Sequence, residues 1–416
     1  MSRTPEAGTE TDRLRRFRDT VTRELLQDIA PFWVQRSVDH QHGGFVGRMT
    51  NDLRIIPDAP KGVVLNARIL WAFAALYRKQ GDSVYRELAD RAFAYLVEHF
   101  VDRDYGGVYW LLDAQGRALD TTKKIYGQAF AIYALSEYYA AVREQEALRL
   151  AMEIFDLAQQ HNFDPTHGGY LEASSRDWGA TDELRLSERD LNERKSMNTH
   201  LHLLEAYTRL YQVSGRREVG EALRHLLRCF IEHIADPQTG HWVLFFDDQW
   251  RPRSHAVSFG HEIEGSWLLV EAAAEVDEPD LRNRCRAMAV DLAEATLTQG
   301  MAEDFGIYAE RRESQAPVRT LQWWQQAEAV VGFLNAYQMT GQHRFLEAAL
   351  RCWEFIERYV LDRQYGEWFY ELLPDRSPNW EMFKICEWKG PYHNTRMCLE
   401  VIDRVSSLAN GEENRR

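Results

Sequence analysis

Three histidines stand near the starts of three apolar helical segments: His200 in "NTHLHLLEAYTRLY", His261 in "HEIEGSWLLVEAAAE" and His393 in "YHNTRMCLEVIDRV". Imidazole changes charge near neutral pH, so three rings entering one pocket from three helices would form an acid–base apparatus. His261 and His393 each precede a charged residue, Glu264 and Arg396, by three positions, and His200 occupies the position aligned with those charges. A lone histidine in such a segment is usually a hydrogen-bonded core residue. The common spacing in separate segments favours chemistry instead. His202 lies about 200° further round the helix than His200 and is expected to face away. Glu264, one turn beyond His261, is placed to orient that ring, as carboxylates behind catalytic imidazoles do, or simply to support the start of the helix.

Other chemistries lack their residues. No "HExxH" occurs, and an i,i+2 pair such as His200 and His202 does not converge on one ion, so no metal is expected. There is no Gly-rich phosphate loop and no "GxSxG" elbow, so the templates for phosphate cradling and for a serine nucleophile are missing. Glu264 and Glu328 form a carboxylate pair that a glycoside hydrolase could use. That is the competing reading. Imidazoles on two sides suit the movement of a carbon-bound proton better.

The elements that position these residues come from a repeat. A Gly-centred hairpin recurs at Gly44, Gly107, Gly169, Gly240, Gly306 and Gly366, at intervals of 60 to 71 residues. Six units at nearly one spacing mean a closed array. Each hairpin is followed by a helix apolar on more than one face, such as "LNARILWAFAALYR", and then by an amphipathic one, such as "VYRELADRAFAYLVEHF". Six buried helices ringed by six amphipathic ones give an all-α (α/α)6 barrel, with short β-hairpins at the end where the buried helices begin. One catalytic domain is expected over 13–408, with tails at 1–12 and 409–416.

Aligned by their apolar runs, the six inner helices place Arg68, Gln128, His200, Glu264, Glu328 and Arg396 at one register. Asn66, Tyr126, Asn198, His261, Trp324 with Gln325, and Trp388 with Tyr392 and His393 stand just upstream. Helix starts favour polar caps, which accounts for Asn66 or Asn198. It does not account for six long polar or aromatic groups on buried helices, whose unpaired burial is costly. A polar pocket on the barrel axis is the better reading.

A net charge of −14 argues against nucleic acid and anionic membranes as partners, and no run of 18 apolar residues exists. The start "MSRTPEAGTETDRLRRF" has no apolar signal-peptide core, so a cytoplasmic location is expected. Five scattered cysteines read as idle thiols. A monomer acting on a small molecule is expected.

The segments "RKSMNTHLHLLEAY" (194–207), "SFGHEIEGSWLL" (258–269), "WWQQAEAVVGFLNAYQ" (323–338) and "WKGPYHNTRMCLE" (388–400) resemble the cellobiose 2-epimerases of the N-acylglucosamine 2-epimerase superfamily. "GVVLNARILWAFAALYR" (62–78) and "KKIYGQAFAIYALSEYY" (123–139) match as well, so the resemblance spans about 13 to 408. It implies C2 epimerisation of the reducing-end glucose of β-1,4-linked disaccharides, without cofactor or metal. Cellobiose would give glucosyl-mannose and lactose would give epilactose, with ketose formation as a side activity. N-acylglucosamine 2-epimerase or mannose isomerase activity is the alternative within the superfamily. By the same resemblance His261 and His393 are the two acid–base residues and His200 a third important histidine. Arg68 and Asn198 would hold the C1 and C2 oxygens, and Tyr126, Glu264, Glu328, Trp324 and Trp388 would complete the pocket. Trp250 and Trp380, on hairpin or loop segments, are further candidates for the second sugar.

Overall fold

The computed structural model describes residues 9–312 and 318–413, with side chains to 408. The chain begins with α1 (Glu10–Glu24), a π-helical turn (Leu25–Ile29) and α2 (Ala30–Arg36). Then follow α3 (Val63–Gln80), α4 (Ser83–Tyr95), α5 (Ile125–Val142), α6 (Gln145–His161), α7 (Met197–Ser214) and α8 (Arg217–Cys229). The last five are α9 (Phe259–Ala274), α10 (Pro279–Ala295), α11 (Trp323–Thr340), α12 (His343–Phe355) and α13 (Tyr392–Glu413). Helices α3, α5, α7, α9, α11 and α13 form the inner ring, each packed on the next, and α13 closes on α3. Helices α4, α6, α8, α10 and α12 lie outside, and α1 covers α13 as the sixth outer helix. This is the expected (α/α)6 barrel.

The apolar pattern explains the two layers. In α5 every residue from Ile125 to Tyr138 is buried, as a helix between neighbours on all sides requires, whereas α6 buries one stripe from Ala147 to Ala158. Gly81, Gly215 and Gly341 end α3, α7 and α11 in the left-handed conformation, where glycine carries no Cβ penalty. A capping box between Thr9 and Asp12 starts α1 at Glu10, three residues before the boundary read at 13, and α13 continues past 408. All five cysteines are buried free thiols. No described helix is long and apolar enough to cross a membrane.

The hairpins form their own ring above the inner helices. The two residues before an inner helix pair antiparallel with the hairpin of the next repeat. Lys61–Gly62 pairs with Leu111–Leu112, Lys123–Lys124 with Ala173–Ser174, and Lys195–Ser196 with Phe245–Phe246. Val257 bridges to Arg311, and Leu321–Gln322 pairs with Glu371–Leu372. Phe383–Ile385, ahead of α13, pairs with Met49–Thr50 of the first hairpin and closes the circle.

Buried lysines pin these hairpins. Lys61, Lys123 and Lys195 each donate to an aspartate (Asp39, Asp102, Asp164) and to a glycine carbonyl of the same turn (Gly43, Gly106, Gly168). Trp178 and Trp250, both at positive φ, cover Lys123 and Lys195. Trp250 is thereby part of the scaffold: it is buried, and its indole N–H donates to the His167 carbonyl.

Removing one partner of a buried pair strands the other charge. Lys195→Met is therefore expected to lower folding stability by about 3 kcal/mol. Arg54→Met, which removes an exposed pair with Asp52, should cost no more than about 0.5 kcal/mol. Urea-unfolding midpoints of the two variants against the parent check this contrast.

Candidate active site

Each inner helix offers two registers near its start, two residues and hence about 200° apart. The earlier one faces the hairpins. Gln128 of α5 accepts from the Val108 N–H and donates to the Val108 carbonyl, and Gln326 of α11 does the same at Ile307. Glu262 of α9 accepts from the Trp242 N–H. His200 of α7 accepts from the Tyr170 N–H at Nε2 (2.9 Å), while its Nδ1–H donates to the Ser196 carbonyl (2.7 Å). In α13, Asn394 holds the Glu367 carboxylate, and in α3 Asn66 bonds only back to Gly62. The staple explains a glycine: a Cβ on Gly169 would stand 2.8 Å from His200 Nε2 and 2.3 Å from Trp250.

The later register faces the axis and comprises Arg68, Phe130, His202, Glu264, Glu328 and Arg396. Gln128 and His200 therefore belong to the stapling register, not to the pocket in which the sequence reading set them. His200 has both nitrogens engaged and does not line the cavity. His202, expected to face away, lines it instead. The two do point in opposite directions. Anchoring the alignment on the helix starts, rather than on the apolar runs, would have exchanged them.

The cavity at the helix mouths encloses about 500 Å³, within the usual range for small-molecule sites. Arg68, Tyr126, Asn198, His202, His261, Glu264, Trp324, Trp388 and His393 all line it. Arg48, Trp323, Tyr370, Glu387 and the segment Leu186–Asp190 complete the wall, and sequence spacing gave no sign of them. Glu328 lies behind the wall. Trp380 is on the surface, 53% exposed, and also does not line the cavity.

Trp324 stands beside both His261 and His393, with ring centroids 4.8 and 5.6 Å away. His393 donates Nδ1–H to Glu328 Oε1 at 2.6 Å, and Glu328 Oε2 accepts from the Trp267 indole. His202 donates Nδ1–H to Glu205 at 3.0 Å. His261 is held by a hydroxyl, with Ser258 Oγ 2.7 Å from Nδ1; Glu264, the partner suggested by sequence, does not make this contact. In each of these three rings Nε2 is left as the nitrogen without a protein partner. Arg68 donates to the Trp388 carbonyl (2.5 Å) and to the Tyr126 hydroxyl (3.2 Å) and lies over the Phe130 ring.

Beneath the cavity Arg396 collects three carboxylates. One guanidinium nitrogen reaches Glu205 and the Tyr392 hydroxyl, and another donates to Glu264 (2.6 Å) and Glu328 (2.7 Å). Burial pushes Glu205 up, but Arg396 and His202 outweigh it and hold its carboxyl down to about 2. Burial and then the neighbouring Glu328 charge push Glu264 up to about 8. Burial, followed by the charge of Arg68 and Arg396, holds His393 well below the usual histidine range, and burial with His202 nearby lowers His261 to about 3. Both rings are thus neutral near pH 7, as proton acceptors must be.

Glu264, Glu328 and His393 bring ligand atoms within 4.8 Å of one another, a group that could hold a cation. The Arg396 guanidinium already bonds both carboxylates there and supplies positive charge to the cluster. The hydrolase arrangement also lacks its geometry: it needs two carboxyls flanking the substrate, and Glu328 is separated from the cavity by His393 and Arg396. Meanwhile Asn198 Oδ1, Glu264 Oε2 and Arg68 Nε are buried without a protein partner. Such groups are costly unless something bonds them, and a polyhydroxylated ligand can.

Residues 43–394 match the family model of N-acylglucosamine 2-epimerase (GlcNAc 2-epimerase). The chain is 43% identical to a cellobiose 2-epimerase of Bacteroides fragilis, covering 93% of this chain and 98% of that one. It is 39% identical to a cellobiose 2-epimerase of Ruminococcus albus, covering 92% and 98%. Among solved structures, the cellobiose 2-epimerase of Bacillus thermoamylovorans superposes with a TM-score of 0.90 at 36% identity, covering 94% of this chain and all of the other.

His200→Gln should keep the staple, because Gln128 and Gln326 make it in sister repeats, and should retain turnover within about fivefold; His202→Asn should lose about 100-fold or more. Steady-state kinetics and thermal unfolding of both variants decide it. The depressed His261 pKa carries a sign as well. The unfolded chain takes up this proton near 6.5 and the folded chain only near 3, so parent stability falls as pH drops below 6.5. His261→Asn should lose less stability than the parent between pH 7.5 and 5, as read by urea midpoints.

Proposed function

The chain belongs to the N-acylglucosamine 2-epimerase family and is a carbohydrate epimerase, and we propose that it inverts C2 of the reducing-end glucose in β-1,4-linked disaccharides. The observation that carries this is the pair of buried neutral imidazoles, His261 and His393, brought from different helices to the two neighbours of Trp324 at one cavity. A hydrolase needs an acid and a nucleophile or base; an epimerase needs proton carriers on both faces of one carbon.

In this reading the pyranose ring first opens. A proton passes to the ring oxygen and another leaves the anomeric hydroxyl, giving an aldehyde. His202, held by Glu205, is the third imidazole at the cavity and the candidate for that step, in the place that resemblance had given to His200 as the third important histidine. One of His261 and His393 then takes the proton from C2, leaving a planar cis-enediolate. The Arg68 guanidinium is suited to stabilise charge on its oxygen, with Asn198 holding a neighbouring hydroxyl. The other histidine, whose Nε2 took up the anomeric proton when the ring opened, returns that proton to C2 from the opposite face. Return to C1 instead would yield a ketose, the side reaction expected of this intermediate. Trp324 and Trp388 offer flat faces to the C–H side of the sugar, and Glu264 Oε2 an acceptor for a hydroxyl.

Support for a disaccharide comes from the shape beyond the catalytic end. A second crevice of about 390 Å³ shares Leu186, Glu387 and Trp388 with the main cavity and extends to Trp110. It offers room for a second pyranose next to the first. Cellobiose and lactose fit this description, and single sugars would leave the crevice unused. The N-acylglucosamine 2-epimerase and mannose isomerase readings predict the reverse preference.

Incubation with lactose or cellobiose in D2O, followed by NMR, tests the reading: deuterium is expected at C2 of a mannose-configured product. Release of the two monosaccharides would indicate a hydrolase, and faster turnover of free mannose or N-acetylglucosamine would overturn the disaccharide assignment. His261→Asn and His393→Asn should each lower kcat by about 100-fold or more while leaving the thermal midpoint nearly unchanged.

A further inference from the structure

Two of the three cavity histidines are backed by carboxylates: His393 by Glu328 and His202 by Glu205. The third is not. His261 Nδ1 meets the hydroxyl of Ser258 at 2.7 Å, and the other titratable group that faces this ring is His202 of α7. Trp324 of α11 packs on its remaining side. On α9 itself, Glu262 is turned to His241 and the hairpin, and Glu264 is turned to Arg396.

Ser258 is the residue before α9, the N-cap position, where a serine normally accepts a hydrogen bond from a free helix N–H. Ser196 does so ahead of α7, accepting from the Thr199 N–H. Ser258 makes no such cap bond. It is buried, and its hydroxyl is turned to the imidazole. A good N-cap is worth about 1 kcal/mol, so the serine at this site is not accounted for by helix stability alone.

The chemistry of the two partner types differs. A carboxylate accepts only and therefore fixes its ring as the Nδ1–H form. A hydroxyl donates and accepts. Beside His261 it can receive Nδ1–H, leaving the Nε2 lone pair for a proton from carbon. It continues to receive Nδ1–H once Nε2 is protonated. It can also rotate and donate to Nδ1, which leaves Nε2–H as the donor toward a substrate hydroxyl. We propose that Ser258 is a positioning residue for His261, holding the ring through Nδ1 and serving both of its neutral tautomers and its protonated form. This rests on the epimerase reading above and deepens it. The unequal partners make the two proton carriers chemically distinct, His393 tied to a buried charge network and His261 to a neutral rotor.

The test uses Ser258→Ala and Ser258→Thr, with kcat and KM for cellobiose measured over pH 5 to 9 alongside the parent. Ser258→Ala is expected to lower kcat at least tenfold with KM changed less than threefold and with an altered pH profile; Ser258→Thr, which keeps the hydroxyl, should recover to within about threefold. A merely structural cap would move the thermal midpoint and leave the pH profile in place. Imidazole 15N NMR gives a readout independent of turnover: loss of the hydroxyl should shift His261 Nδ1 selectively. Parent kinetics and an unshifted His261 signal in Ser258→Ala, or a threonine variant no better than alanine, would overturn the assignment. If the parent fails to epimerise cellobiose, the functional reading fails, while the NMR shift still reports whether Ser258 holds the ring.

Discussion

Arg396 is the group on which the middle of the barrel depends. Six inner helices converge on an axis that carries three buried glutamates, from α7, α9 and α11. Carboxyls packed together in a low-dielectric interior are driven towards their neutral form: Arg396 holds Glu205 charged, while burial and Glu328 still push Glu264 up to about 8. The guanidinium offers a planar set of donors that stays charged when buried, and it bonds Glu205, Glu264 and Glu328 at once. The ion cluster is thereby made a fixed platform. His202 and His393 stand on two of its carboxylates, and Glu264 keeps one oxygen for the cavity. Arg396 also lies over the rings of Trp267 and Tyr392, so the apolar core and the charged platform meet on one side chain.

The hairpin ring solves a different problem. Short strands of two or three residues have little stability alone, yet they must hold the mouths of the inner helices in register. Each is clasped by the lead-in of the neighbouring repeat, several are pinned by a buried lysine–aspartate pair, and four are stapled at a backbone N–H by an inner-helix side chain one turn in. The staple uses Gln, His and Glu interchangeably because its requirement is geometric: an acceptor for one backbone N–H of the hairpin. That tolerance is why His200 can be scaffold on a helix whose next-but-one residue faces the cavity.

Support and chemistry therefore share the same helical turns. A rotation of about 200° separates the staple from the pocket, and a shift of two in aligning the helices exchanges one for the other. The long segment between the third hairpin and α7 adds Leu186–Asp190 to the cavity wall, and the long segment ahead of α13 adds Met382, Phe383 and Cys386 to Trp388.

Periodicity and the recurring glycine determined the architecture. Six units of one length, each with a buried and an amphipathic helix, admit few closed packings, and burial follows from composition. The residue types at the helix starts determined that a polar site would sit there, with His261, His393, Arg68, Asn198, Tyr126, Trp324 and Trp388 at it. What tertiary structure decided was direction and partnership. Whether His200 or His202 meets the cavity depends on the phase of α7 relative to the axis, which an apolar run fixes only to within a residue or two. Whether Glu328 touches substrate or backs an imidazole depends on the reach of Arg396 from another helix. Ser258 rather than Glu264 holds His261 because the side-chain angles at one helix start settle it. Sequence spacing carries the face of a helix; it does not carry the distances between faces of different helices, and the chemistry of this site lies in those distances.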